Sequence, residues 1–352
     1  MALEPSTLQP PELAYMPNLV VKRIADYVGF PGVVNLLKVN QRFRNLLQDH
    51  PPTVNLNQVI IIVTDDLIDG IYGSEVNKFI TRYTNTNNGC QVSSTRPNQK
   101  GEQVRADFDN ESYEKIFLDD IKRNLMFQSG VLTKLEIQCV GFPHKSFLTK
   151  ISEFLEARKD LLKTKAVHLA VWGCKDVHLI LPLMDPTTMQ HIEIRNQNPR
   201  PMLLTSEEMD KLAGLVQWKA VKEIFINRNL VVPNASIHHF HHLTESALTV
   251  ESFGFADFLR LKQKILSFDF NRFRISFQKL EDENQFIALF GEMFQVSESK
   301  QLKLWNFHVP NNVEVFGVQL SASNLYMIRI NYVNNPKLSY LQKIMQPMFK
   351  FP

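Results

Sequence analysis

The sequence carries almost no excess of either charge: 39 lysines and arginines stand against 36 aspartates and glutamates, a formal net charge of +3 over 352 residues. Its basic residues are spread among acids. That disfavours nucleic acid as the main partner, because a sequence-independent binder concentrates its positive charge in a patch or stripe. Cysteine is scarce as well. Cys90, Cys139 and Cys174 are odd in number, far apart, and form no Cys-x-x-Cys pair. The expectation is a set of free, buried thiols in a reducing compartment. Long apolar runs are missing: Val59 to Val63 is the strongest, far below the roughly 18–20 residues that span a bilayer. The first residues, Met1 to Tyr15, hold prolines and polar side chains and no basic stretch ahead of an apolar core, so they do not read as a secretory signal. The chain is expected to be cytoplasmic and/or nuclear, without a membrane partner, and disordered over residues 1–14.

Catalytic signatures are also lacking. No Gly-x-x-x-x-Gly-Lys, Gly-x-Gly-x-x-Gly, His-Glu-x-x-His or Gly-x-Ser-x-Gly occurs. Asp65-Asp66 and Asp119-Asp120 are adjacent carboxylates, but neighbouring side chains on a helix or strand diverge rather than converge on one substrate. The expectation is a chain that is not an enzyme, with no catalytic residue, cofactor or metal.

What is present begins with a short helical module. Pro17 suits a first helical turn, where its missing N–H has no partner to lose. Leu19, Val20, Ile24 and Val28 then recur at three- and four-residue steps along one face. Gly29, Pro31 and Gly32 break that helix, and Val33, Leu36, Leu37, Val39, Phe43 and Leu47 form a second apolar set closed by Pro51 and Pro52. A unit of about 35 residues cannot bury so many apolar side chains by itself, so they must pack on the rest of the chain or on a partner.

Met16-Pro17-x-Leu19-Val20, followed by Ile24, Val28, Val33, Leu36-Leu37, Val39 and Phe43-Arg44, resembles the F-box motif. That resemblance implies three short helices over residues 15–50 that bind a Skp-type adaptor through Met16, Pro17, Leu19, Val20, Ile24, Val28, Val33, Leu36, Leu37, Val39 and Phe43. It departs from the family at Met16, where Leu is usual, at Asn40, where Cys is common, and at Phe43, where many members have Trp.

Behind Pro52, short segments of period two alternate with segments of helical period. The candidate strands are Val59 to Val63, Leu132 to Cys139, Ala166 to Trp172, Met189 to Ile194, Val221 to Ile226, Ala247 to Val250, Phe270 to Phe277, Gln301 to Phe307 and Leu325 to Tyr332. Thr205 and Glu208 have capping-box spacing, with Met209, Leu212, Ala213 and Val216 along one face. Phe147, Ile151, Phe154 and Leu155 make a second such face, and Phe286, Leu289, Phe290 and Met293 a third. From Leu132 onward the strand starts recur every 20 to 35 residues or so, the spacing of solenoid units. The expected fold is thus α/β: a short three-helix F-box, then an irregular leucine-rich-repeat-like strand and helix solenoid. A compact two-layer α/β domain is the alternative. Residues 51–130 are expected to connect the two parts and to carry a mobile polar loop near 85–110, where Asn, Ser, Thr, Gln and Gly dominate.

A second resemblance covers about residues 130 to 290. Thr164 to Gly173, then Val177, Ile180 to Pro186 and Met189 to Ile194, are similar to the opening of the FTH domain found behind F-boxes in a large nematode family, the A-type F-box proteins. Gln217 to Lys222, His239 to Leu243 and Leu261 through Phe273 continue the match. It implies that residues 131–352 bind a target protein.

Two clusters invite sharper chemistry. His238 and His242 would share a face of an α-helix at the spacing of some zinc sites, but no third ligand is marked nearby. Phe240 and Leu243 turned inward, with the histidines partly exposed, is the simpler reading. Phe268, Phe270, Phe273 and Phe277 with Arg272 and Arg274 suggest stacking on bases. Period two instead sends Phe273, Ile275 and Phe277 to a core and Arg272, Arg274 and Ser276 outward. The function expected is therefore that of a substrate-recognition subunit of an SCF-type ubiquitin ligase, joined by the adaptor to a cullin. The alternative is a ligase-independent scaffold that tethers a regulatory protein, for example an RNA-binding one.

Overall fold

A computed structural model describes residues 16–24, 46, 56–73, 78–95, 104–126, 128–141, 144–227, 229–265, 271–290, 294–297, 302–308 and 314–331. The chain divides into two compact units, one formed by residues 1–166 with 183–188, the other by 167–182 with 189–352.

The first unit is built on a meander. Strands β1 (Gln58–Val63), β2 (Leu67–Gly73), β3 (Lys78–Thr86), β4 (Gly89–Thr95) and β5 (Val104–Asp109) pair in turn, each antiparallel to the last. On its other edge β1 takes β6 (Lys134–Cys139) in parallel, with Val59 opposite Leu135 and Val63 opposite Cys139. Helix α1 (Tyr113–Met126) turns Phe117, Ile121 and Leu125 inward. Phe117 meets Tyr83 edge-on with ring centres 5.3 Å apart. It also meets Phe147 of α2 (Lys145–Glu156) at 5.7 Å. Buried Gln128 closes the unit below α1: its amide oxygen accepts from the Leu56 N–H at 2.7 Å, and its NH2 donates to the Leu56 and Gly130 carbonyls.

In the second unit the centre is parallel. Strand β8 (His191–Asn196) pairs with β10 (Glu223–Ile226), β10 with β12 (Glu245–Phe253), and β12 with β13 (Arg272–Leu280). β7 (Ala166–Val171) lies beside β8, where the Gln197 N–H donates to the Val171 carbonyl at 2.9 Å. The short β9 (Met202–Leu203) and β11 (Leu230–Val232) extend this parallel layer towards the far part of β12. Beyond β13 the direction reverses: β17 (Asn324–Asn331), β16 (Glu314–Leu320), β15 (Leu302–His308) and β14 (Phe294–Ser297) follow antiparallel.

Helices close one face of that sheet. Helix α3 is Cys174–Ile180, α4 Ser206–Gly214 and α5 Val216–Ala220. A 3₁₀ helix (Asn234–Phe240), α6 (Phe255–Ile265) and α7 (Glu283–Phe290) complete the layer. Ile192, Ile194, Ile224, Ile226, Leu248, Val250, Phe273 and Ile275 supply the sheet's side of the core. The start of α4 carries the full capping box: Thr205 Oγ1 accepts from the Glu208 N–H at 3.1 Å, and the Glu208 carboxylate takes the Thr205 N–H at 2.9 Å. Met209, Leu212 and Ala213 are buried as the periodicity implies, but Val216 is exposed. Leu215 is extended and ends α4 after Gly214, so Val216 begins a new helix on a different phase. Phe286 is buried and Leu289 is not.

The expected solenoid is overturned. A solenoid needs a crossover after each strand, and a parallel pair needs about a dozen connecting residues. Here residues 64–66 join β1 to β2, 87–88 join β3 to β4, and 321–323 join β16 to β17, so these pairs can only be antiparallel. The result is a mixed sheet with helices scattered along the chain. No amino-terminal three-helix bundle stands among the described residues, which before β1 comprise 16–24, 46 and 56–57. The mobile loop expected near 85–110 is likewise replaced by β3, β4 and β5, and 96–103 lies outside the described residues. Gly89 makes this possible: its φ of +145° and the closeness of the Phe108 carbonyl leave no room for a Cβ.

All three cysteines are buried thiols outside any disulfide. Burial pushes the Cys174 thiol up to about 12, with Glu208 and Asp176 nearby adding to the rise. Burial also raises Cys90. An aromatic disulfide reagent at about pH 8 is therefore expected to titrate none of the three in the native chain and all three in denaturant. One fast native equivalent would contradict this packing.

Candidate functional site

Alternation along the parallel strands turns polar side chains to one face of the second unit, and no helix among the described residues covers it. On β8, Ile192 and Ile194 are buried while His191, Glu193 and Arg195 are half-buried. Strand register lines up cross-strand rows on this face. Glu223 stands opposite His191 and Glu245, and Glu245 opposite Arg272. Next to this row, Phe225 stands opposite Glu193 and Ala247, Ala247 opposite Arg274, Arg274 opposite Tyr326, and Tyr326 opposite Gln319.

The two rows differ in how their charges are used. In the first, Arg272 Nη2 bonds Glu245 Oε2 at 2.6 Å while its guanidinium lies over the Phe225 ring, 5.8 Å from the centre. Glu245 also accepts from the Asn271 amide. In the second row, among the described residues, the side chains of Arg274, Tyr326 and Gln319 make no hydrogen bond or ion pair. These three, with Phe225, Ala247 and Asn324, line a groove of about 530 Å³. Its floor is fixed by the Ser276 hydroxyl donating to Asn324 Oδ1 at 2.8 Å. The groove thus offers an exposed guanidinium, a phenol and an amide beside an aromatic wall. Such a set receives a carboxylate with an extended chain behind it, since Arg can hold a carboxylate through two parallel bonds.

Of the residues the F-box resemblance names, Met16, Pro17, Leu19, Val20 and Ile24 are described. Residues 18–24 form a helix whose first turn hangs on the Pro17 carbonyl, which accepts from the Val20 and Val21 N–H groups at 2.9 and 3.1 Å. Leu19 is 65 % and Val20 41 % exposed, whereas Val21 is buried. Val28, Val33, Leu36, Leu37, Val39 and Phe43 lie outside the described residues, as do Asn40, Phe268 and Phe270.

His238 and His242 are not brought together. His238 lies in the 3₁₀ helix Asn234–Phe240 and His242 beyond its end, so no α-helical turn stacks the two. His238 Nδ1 meets the Ala235 carbonyl at 2.7 Å, and His242 Nε2 the Trp218 carbonyl at 2.9 Å. Phe240 and Leu243 are buried, as the simpler reading required. Sequence reasoning found the outward placement of Arg272 and Arg274 but missed the groove and a second cluster on the same face, His168, His191 and Glu193. Period two marks His191 and Glu193 as sharing a face; their meeting with His168 depends on strand pairing.

The second unit is thus a mixed sheet with helices along it, of the α/β class, with a groove in which Arg274 makes no hydrogen bond or ion pair among the described residues. Residues 145–293 match the FTH domain family. The match runs from α2 to just past α7 and includes Phe225, Ala247 and Arg274. It is consistent with the protein-interaction role attached to FTH domains behind F-boxes. No curated protein and no solved structure matches the chain. Among the described residues no helix is long and apolar enough to cross a membrane.

Proposed function

We propose that this chain is the target-holding, non-catalytic subunit of an SCF-type ubiquitin ligase, of the nematode A-type F-box kind. The observation that carries target holding is the groove around Arg274, whose guanidinium, phenol and amide groups are unengaged among the described residues. In this reading residues 15–50 contact a Skp-type adaptor and through it a cullin. Support comes from the order of apolar residues in that segment and from Leu19 and Val20, left 65 % and 41 % exposed in a short helix. The subunit contributes proximity and orientation, and neither acid, base nor nucleophile. That role places it in the cytoplasm or nucleus.

Two variants test the halves separately. Val20→Asp with Ile24→Asp is expected to abolish one-to-one binding of the full chain to a purified Skp-type adaptor without changing its melting temperature. Retained adaptor binding would exclude this interface, and a wild-type chain that binds no adaptor would favour a scaffold outside any ligase. For the groove, an array of extended acidic and neutral peptides is the probe. The wild type is expected to prefer acidic peptides, and Arg274→Glu to weaken them at least tenfold, on the order of 1.4 kcal/mol or more. Equal binding by both forms would remove the groove from the target site.

A further inference from the structure

We infer that His168, His191 and Glu193 form a binding site for one divalent transition ion, of the zinc type, on the open face of the FTH-bearing unit. One donor atom from each of the three lies within 4.8 Å of the others. His168 comes from β7, and His191 and Glu193 from one face of β8, two residues apart. The His168 and His191 rings are 5.1 Å apart between centres. His168 Nδ1 and Glu193 Oε2 are 3.3 Å apart. Two ligands bound to zinc at about 2.0–2.1 Å in a tetrahedron are themselves roughly 3.3 Å apart, so this pair already has the spacing of one edge.

The surrounding residues orient the donors. Glu223 Oε2 lies 3.1 Å from His191 Nδ1. A carboxylate on one ring nitrogen holds the proton there and leaves the other nitrogen, Nε2, with its lone pair free for a metal; metal-bound histidines commonly have such a partner. Arg195 plays the matching part for Glu193. Its Nε donates to Oε1 at 2.7 Å, which fixes the carboxylate and leaves Oε2 on the His168 side. The His168 and His191 side chains are 19 % and 15 % exposed. That leaves an approach for an ion while removing most of the competing water.

Donor chemistry selects the ion. Two imidazoles and one carboxylate suit zinc, nickel or copper and not magnesium or calcium, which require mostly oxygen. Three protein donors leave a fourth position for water or a donor from a bound partner. The neighbouring row reaches the groove: Glu193 stands opposite Phe225, one of the groove's walls.

The test uses the full chain, stripped with a chelator and titrated with zinc against a chromophoric competitor. One ion per chain is expected. His168→Ala, His191→Ala and Glu193→Gln should each weaken binding at least tenfold, and Glu223→Gln by roughly tenfold through loss of the ring's orientation. His238→Ala, at a histidine with its own carbonyl partner, should change nothing. Circular dichroism monitors folding of each variant, and cobalt on the wild type gives a readout that needs no variant: strong visible absorption from a low-coordinate site. A wild type with no stoichiometric ion, weak octahedral cobalt absorption, or affinity unmoved in folded His168→Ala and His191→Ala would each overturn the site. Loss of zinc in His191→Ala with acidic-peptide binding kept would show that metal and target binding are separate properties.

Discussion

Replacing Phe117 by Ala is expected to destabilise the first unit by about 3–5 kcal/mol, the range for truncating a fully buried Phe. The ring is 0 % exposed and sits between Tyr83 of β3 and Phe147 of α2. Removing it leaves a cavity under α1 that the meander cannot fill, because β2, β3 and β4 are held in register by their ladders. Urea unfolding followed by circular dichroism measures the loss; a shift below about 1 kcal/mol would mean that α1 does not pack here.

Tyr83→Phe dissects the same contact. It keeps the ring and removes the hydroxyl that donates to Asp120 Oδ2 at 2.7 Å. A hydrogen bond to a charged acceptor contributes about 1.5–3 kcal/mol. The hydroxyl also sets an alkaline limit. Burial raises its pKa well above the usual tyrosine value. The unfolded chain therefore gives up this proton near pH 10 while the folded chain keeps it. The stability so contributed is present below about pH 10 and lost as pH rises towards the folded value. Tyr83→Phe should make the alkaline decline shallower; Tyr72, raised chiefly by burial too, would keep part of it.

These elements were unequally legible in the sequence. Strands with a continuous or alternating apolar pattern, β1, β6, β7, β8, β10 and β13, announced themselves, since burial on one or both faces leaves that imprint. Strands β3 to β5 of the meander did not. β3 to β5 read Lys-Phe-Ile-Thr-Arg-Tyr-Thr-Asn-Thr, Gly-Cys-Gln-Val-Ser-Ser-Thr and Val-Arg-Ala-Asp-Phe-Asp. Polar neighbours hide the alternating buried residues Tyr83, Cys90 and Val92, and Asn87-Asn88-Gly89 has the composition of a loop yet makes a hairpin turn. Spacing alone suggests a repeat, yet the direction of pairing also depends on connection length.

Site residues divide in the same way. Arg272 and Arg274 were placed outward by period two within one strand. The groove joins Phe225, Ala247, Arg274, Tyr326 and Gln319 from β10, β12, β13, β17 and β16. Which of these strands are neighbours is a long-range fact: β13 pairs with β17, about 50 residues on, and not with β14. The pair His238 and His242 stands out in one dimension, but each ring bonds its own carbonyl, of Ala235 and of Trp218. His168 and His191 looked unrelated and are brought together by β7 and β8.

Trp218→Ala is expected to destabilise the second unit by about 3–5 kcal/mol and, through that, to weaken peptide binding without touching the groove. Trp218 is 1 % exposed in the short helix α5, which would have little stability by itself. Three contacts hold it: the indole N–H donates to the His239 carbonyl at 3.3 Å, the ring meets Phe240 edge-on at 5.6 Å, and His242 Nε2 bonds the Trp218 carbonyl at 2.9 Å. Gln217 adds a bond to the Pro182 carbonyl at 3.0 Å. Truncation removes the ring and leaves the His239 carbonyl without its donor, so a cavity and a lost hydrogen bond act together. Trp218→Phe keeps most of the volume and should lose less. The two kinds of defect separate on cooling or with a stabilising osmolyte. Acidic-peptide binding by Trp218→Ala should recover as the folded fraction rises, while that of Arg274→Glu, folded throughout, should not. Should both recover alike, Arg274 would be acting on the fold, and its guanidinium would not be the group that meets the target.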